Sequence, residues 1–182
     1  MNLAASTEPW TAGEEAPSGA PAPGPPRPVL LLGLGNDILT DDAIGLEVAR
    51  ALREEFEDHP RIEVRETSEM GLALLDFLTG RRAALLVDAI QTGAVPPGTL
   101  LEPDPADWEA RGGCNPHLLG VAATLALGRH CGLAMPERVK ILAIEAADPF
   151  TLGTALTPAL RAALPVAVAR ARRLLAELAD SL

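Results

Sequence analysis

The sequence predicts an α/β domain, a three-layer sandwich in which a mostly parallel sheet carries helices on both faces. Three observations lead there. Residues 29–32 and 83–87 are short, unbroken apolar runs, the mark of strands buried on both sides. Stretches of helical period lie between the strand-like runs, so strands and helices alternate and imply right-handed βαβ units. Aromatic residues make up only 3% of the chain and Tyr is absent, so the core must be Leu, Ala, Val and Ile. That core suits helices packed on a sheet better than a β-sandwich.

Taken in order, residues 29–32 form the first strand and Gly33-Leu34-Gly35-Asn36 a glycine-rich turn. Thr40-Asp41-Asp42 then opens a helix to Phe56, with Ile44, Val48, Leu52 and Phe56 along its apolar face. After the break at Asp58-His59-Pro60, residues 62–67 alternate apolar and polar, as in a half-exposed strand near a sheet edge. Residues 71–78 suit a short helix stopped by Gly80. The second apolar strand, 83–87, has Asp88 at its exit. Val95-Pro96-Pro97-Gly98 is a turn, and residues 99–102 a short strand running back. Residues 103–116 are loop, carrying Asp104, Asp107 and Trp108. His117 opens a helix to Cys131 that turns Leu118, Val121, Leu125 and Leu127 inward. A strand over 139–144 follows, with Glu145 at its end. Thr157 and Pro158 are N-cap and first residue of a last helix reaching Leu178, with Pro165 a kink point.

Composition narrows the function. A formal net charge of −10 argues against a nucleic-acid partner, whose phosphates would be repelled. Two cysteines, Cys114 and Cys131, are too few for a disulfide framework, which points to a reducing, cytoplasmic setting. Residues 1–28 are a dense Pro/Ala/Gly/Ser mix and read as a disordered tail before a single domain over 29–182. The tail lacks the basic and apolar regions of a secretory signal. Nowhere does a run of about 18 apolar residues occur, so no membrane helix is expected.

In a parallel sheet, ligands bind outside the carboxyl ends of the strands, where strand order reverses. Asp42, Asp88 and Glu145 all stand at such ends. Of the adjacent pair Asp41 and Asp42, one acid suffices as a helix cap, which leaves a carboxylate over. Gly33-x-Gly35 invites a dinucleotide reading, but Ile38 stands where a third small residue is required. Two acids at the helix start would also repel a pyrophosphate. His59 and His130 read as ordinary surface groups, whereas His117 follows the flexible Gly112-Gly113-Cys114-Asn115-Pro116. Cys114-x-x-His117 is only half a metal motif, and Cys114 is read as packing. Two carboxylates and an imidazole suit a divalent metal such as nickel or zinc. No His-Glu-x-x-His is present, which fits a metal that is not a permanent resident.

Gly33-x-Gly35-Asn36, four residues, then Asp41-Asp42-Ala43-Ile44-Gly45 closely resembles the opening motif of the maturation endopeptidases of nickel–iron hydrogenases. Leu86-Val87-Asp88-Ala89, His117-x-x-Gly120, Ile144-Glu145 and Gly153-x-x-Leu156-Thr157-Pro158 follow in the same order. The resemblance implies a twisted sheet of five strands between helices. It implies cleavage of a C-terminal extension from the hydrogenase large-subunit precursor, once nickel is in place. Nickel then belongs to the substrate, and Asp42, Asp88 and His117 are the implied nickel-recognising and catalytic residues, with Gly33, Gly35 and Asn36 shaping the turn. The protein is expected to act as a monomer. Departures from the family pattern include Ala43 for a common glycine, Asn115-Pro116 before His117, and Glu145-Ala146 for a usual Glu-Pro. The competing readings are a nickel-dependent maturation chaperone without catalysis and a doubly wound domain binding a nucleotide or small ligand.

Overall fold

The computed structural model describes residues 27–104 and 121–182. Residues 105–116 of the loop expected over 103–116, with Cys114, and His117, Leu118 and nearly all of the expected tail lie outside the described residues. Arg27 is described, and its guanidinium donates to the carbonyls of Phe56, Glu57 and Ile62.

β1 (Val29–Leu34) is buried at all six positions and leads through a 3-10 turn (Asp41–Ala43) into α1 (Ile44–Phe56). Next come β2 (Ile62–Thr67), a 3-10 turn and α2 (Leu74–Leu78), β3 (Ala83–Ile90) and the two-residue β4 (Leu100–Leu101). α3 (Val121–His130), β5 (Arg138–Glu145) and α4 (Pro158–Asp180) complete the described chain. The described strands form one five-stranded sheet in the order β2-β1-β3-β5-β4. β1 pairs parallel with both β2 and β3, and β3 parallel with β5, while β4 is antiparallel to β5. The α/β sandwich with a mostly parallel sheet is therefore as expected, including the edge position of β2 and the returning strand β4.

Alternation along the strands sorts the core into two layers. Val29 and Leu31 of β1 and Ala83, Leu85, Val87 and Ala89 of β3 face α1 and α4. Leu30, Leu32 and Leu34, with Ala84, Leu86 and Ile90, face α2 and α3. α1 earns its place by period: Ile44, Val48, Leu52 and Phe56 are buried, while Glu47, Arg50, Arg53 and Glu54 look outward.

Three expectations are corrected. Asp88 does not end its strand: β3 runs two residues further, because Asp88, Ala89 and Ile90 pair with Ala143, Ile144 and Glu145 of β5. An acid interrupts the apolar run in sequence but not the ladder. The helix after β1 begins as a 3-10 turn rather than as α-helix from Asp41. Leu127 is exposed, since Val121, Leu125 and Gly128 define the buried face of α3 and Leu127 sits about 200° round from Leu125. The last helix runs unbroken past Pro165 to Asp180.

Candidate active site

The order β2-β1-β3 places the reversal of strand order between β1 and β3. Helix α1 starts directly over that seam because glycines permit it. A Cβ on Gly45 would stand 2.3 Å from the carbonyl oxygens of both Leu34 and Val87. One on Gly33 would meet the Gly45 carbonyl oxygen at 2.3 Å. Gly35 has a positive φ of 150°, and a side chain there would strike the Asp42 carbonyl. The glycine spacing thus serves the close approach of α1 to the sheet, which explains it without a phosphate. Asn36 completes the turn by accepting the Ile38 amide on its Oδ1 at 3.1 Å.

The turn carrying Asp42 packs against β3, and Gly45 sits on Val87, the neighbour of Asp88. Two of the expected site residues therefore lie on adjoining segments at the switch point. Asp42 is 6% exposed and Asp88 fully buried. By alternation, Asp88 belongs to the face of Leu86 and Ile90, the one covered by α2 and α3. Among the described residues no group of three or more His, Cys, Asp and Glu is arranged to hold a metal; the expected third member, His117, lies outside them.

Asp41 has a different task from the one its sequence position suggests. Its side chain makes no helix-capping hydrogen bond, and neither does that of Thr40, the N-cap residue. Instead the fully buried Asp41 carboxylate accepts the amides of Ala147 and Asp148 at 2.9 and 2.8 Å. It also accepts the amide and hydroxyl of Thr157 at 2.8 and 3.0 Å. Both ends of the β5–α4 loop are thereby fastened to the residue beside Asp42. Thr157, expected to cap α4, is the N-cap position but spends its hydroxyl on Asp41.

Glu145, expected at a strand end, is the last residue of β5, is buried, and has a supporting role. Its carboxylate accepts the Thr92 amide and hydroxyl and the Gly93 amide, all within 2.8 Å. These bonds shape the loop after β3, which with Ala146 and Ala147 borders an open cleft of about 480 Å3. Asp148, next in line, accepts the Phe150 and Thr151 amides, and its hydrogen bonds with Thr151 hold its carboxyl below the usual range.

Among relatives, the hydrogenase 2 maturation protease of Escherichia coli K12 is 30% identical over 146 residues, covering 77% of this chain and 85% of that protein. The chain belongs to the hydrogenase maturation protease family. A hydrogenase expression/formation protein of Rhizobium leguminosarum, HupD, is 26% identical over 83% of this chain and 76% of its own. Among solved structures, the maturating endopeptidase HybD of E. coli superposes with a TM-score of 0.65 at 28% identity, covering 84% of this chain and 93% of that one. No family model matches the chain. In a doubly wound sheet the β1/β3 switch point is where ligand chemistry is expected.

Proposed function

We propose that this chain is an endopeptidase that removes a C-terminal extension from the precursor of a nickel–iron hydrogenase large subunit. In this reading Asp42, Asp88 and His117 engage nickel that the precursor carries, so the metal arrives as part of the substrate. The observation that carries the reading is the meeting of the Asp42 and Asp88 segments at the switch point. The course of α3 supports the third residue. α3 leads into β5, which is parallel to β3, so α3 runs antiparallel to the strands and starts at their carboxyl edge. Its first described residue, Val121, packs with Leu86 and Ile90 on the face of Asp88, and His117 precedes it by four residues.

Oxygen and imidazole donors suit a borderline ion such as nickel, and thiolates of the precursor would supply the remaining ligands. Bound there, the metal would polarise the scissile carbonyl or activate a water. The protease's own part is to hold two carboxylates in fixed positions, which the Asp41 clamp and the β3 ladder provide. The cleft beside Ala147 offers room for chain next to the cut bond. The same reading has the protein acting as a cytoplasmic monomer on one precursor. Among the described residues, no helix is long and apolar enough to cross a membrane.

Mass spectrometry of a nickel-loaded precursor incubated with the protein tests this. Loss of a C-terminal peptide is expected with the wild type, and none with Asp42→Asn or His117→Ala of unchanged circular dichroism. Unchanged precursor mass with the wild type would replace the protease by a chaperone, and full processing by both variants would remove the assigned residues.

A further inference from the structure

We infer that the outer edge of β2 takes up an extended segment of the hydrogenase precursor as an added strand, held by the main-chain groups of Val64 and Glu66. Which chain comes to the edge rests on the protease reading above; that the edge accepts a strand rests on the ladder itself. β2 lies at one end of the sheet and pairs, in parallel, with β1 alone. The Val29 amide donates to the Arg61 carbonyl, and Val29 lies opposite Ile62. Main-chain polar groups alternate in direction along a strand. Arg61, Glu63, Arg65 and Thr67 therefore turn theirs to β1, and Ile62, Val64 and Glu66 turn theirs outward. Ile62 is already engaged: its amide donates to Nδ1 of His59 at 3.0 Å, and its carbonyl accepts from Arg27 at 3.0 Å. Among the described residues, nothing bonds the amides or carbonyls of Val64 and Glu66.

Charged side chains commonly blunt such an edge. Here each is tied back to a face of the sheet. Glu63 accepts from Arg81 at 2.7 Å, and the Arg65 guanidinium lies over the Phe77 ring at 4.9 Å. Glu66 pairs with Arg50 at 2.9 Å and Arg53 at 3.1 Å. The main chain at Val64 and Glu66 stays open, and its repeat of two residues matches an extended peptide. Two other occupants fit poorly. A second copy using both residues would pair antiparallel about Arg65 and set that guanidinium opposite its own counterpart, and like charges directly opposite destabilise a pair. The chain's own start enters β1 through Arg27, which reaches Ile62, but Pro23, Pro25 and Pro26 just before it have no N–H to give. What remains is a short strand from another protein, as a flexible chain end supplies. The open half of β2 is its carboxyl end, where Glu66 lies opposite Gly33 and Thr67 opposite Leu34. At about 4.8 Å between strands, the added strand lies roughly 12 Å from the β1/β3 switch point.

Residue-resolved hydrogen exchange of the full chain, alone and with saturating nickel-loaded precursor, reads the edge directly. The amides of Val64 and Glu66 are expected to exchange freely in the dilute protein and at least about ten-fold more slowly with precursor, while the Ile62 amide changes less than about two-fold. Val64→Pro removes one outward N–H without touching the β1 ladder, and is expected to raise KM roughly ten-fold with kcat within about two-fold. Unchanged exchange at both amides in the bound complex overturns the inference, and that result needs no variant. So does slow exchange in the dilute protein alone, which would mean that the chain covers its own edge. Slowing that follows protein concentration without precursor overturns it too, and would assign the edge to a second copy. A folded Val64→Pro with unchanged KM has the same force. Binding and cutting are read separately. Protection of both amides by a precursor that is never cut keeps the edge and removes the protease reading, and cutting without protection does the reverse. A precursor that neither binds nor is cut removes both.

Discussion

The carboxylate of Asp41 reaches across 116 residues of sequence to Thr157, accepting its amide at 2.8 Å and its hydroxyl at 3.0 Å. Together with the Ala147 and Asp148 amides, this makes a single side chain the junction of the β1–α1 turn and the β5–α4 loop. The neighbouring Asp42 is thus held from behind by a residue that itself has four donors. Of the two adjacent acids, Asp41 fastens the scaffold, and Asp42 is the one proposed to engage the substrate.

Removing that junction strands partly buried amides. Asp41→Ala leaves the amides of Ala147, Asp148 and Thr157 without their acceptor, and is expected to cost about 3 kcal/mol. Asp41→Asn can still accept through one oxygen but sets an NH2 against a donor, and should cost about 1–2 kcal/mol. Urea unfolding with a two-state fit measures both. Equal stability in all three proteins would show that the loop finds other partners.

A methyl group at Gly45 is expected to be as damaging as the loss of Asp41, for a steric reason. Its Cβ would lie 2.3 Å from two backbone carbonyls, Leu34 and Val87, neither of which can swing aside. Gly45→Ala must lift the start of α1 off the seam, at about 3 kcal/mol or more, and carry Asp42 with it. By contrast, Gly93→Ala meets nothing within 4 Å, so only its positive φ is at stake and about 1 kcal/mol is expected. Thermal unfolding of the two variants side by side checks the contrast.

Which of these features were readable beforehand follows from what is local. The buried runs of β1 and β3, the amphipathic face of α1 and the edge character of β2 are patterns within a few residues, and all five described strands arise where such patterns predict them. The end of β3 is not legible locally because an acid looks like a stop, whereas Asp88 pairs with Ala143, 55 residues further along the chain. Asp41 was indistinguishable from a helix cap, since its true partners lie 106 and 116 residues downstream. The nearest sequence signal was the redundancy of two acids with one cap to fill. Leu127 failed for a simpler reason: α3 is so rich in Leu and Ala that its buried stripe is hard to phase.

The pair Arg81 and Glu63 predicts a stability change confined to acid pH. Arg81 is buried and donates to Glu63 at 2.7 Å, as well as to the carbonyls of Phe77 and Arg27. Burial alone would push the Glu63 carboxyl up, but the Arg81 hydrogen bond and the nearby guanidinium charges outweigh it and hold it below the usual glutamate range. A carboxyl depressed on folding stabilises the protein above its unfolded pKa, about 4.3, and loses that contribution as pH falls through the folded value. Glu63→Gln is therefore expected to be about 1 kcal/mol less stable than wild type near pH 7, with the gap closing towards about pH 3. Urea unfolding at the two pH values decides it. Glu63 lies at the opposite end of β2 from the switch point, so precursor cleavage at neutral pH should be unaffected.

Metal removal separates a substrate-borne ion from a resident one. If nickel belongs to the precursor, treating the protease alone with a chelator and then desalting should leave its rate on loaded precursor unchanged. Precursor made without nickel should resist cleavage, because two carboxylates and an imidazole then have no ion through which to grip it. Adding nickel to that precursor before mixing should restore cleavage, while preloading the protease should not. Asp88→Asn tests the same point from the protein's side. It keeps the volume of a fully buried residue in the β3 ladder but removes the charge, so a drop of at least about 100-fold in kcat/KM with little loss of stability is expected. A chelator-treated protease that stays inactive until nickel is returned to it would instead make the metal the enzyme's own.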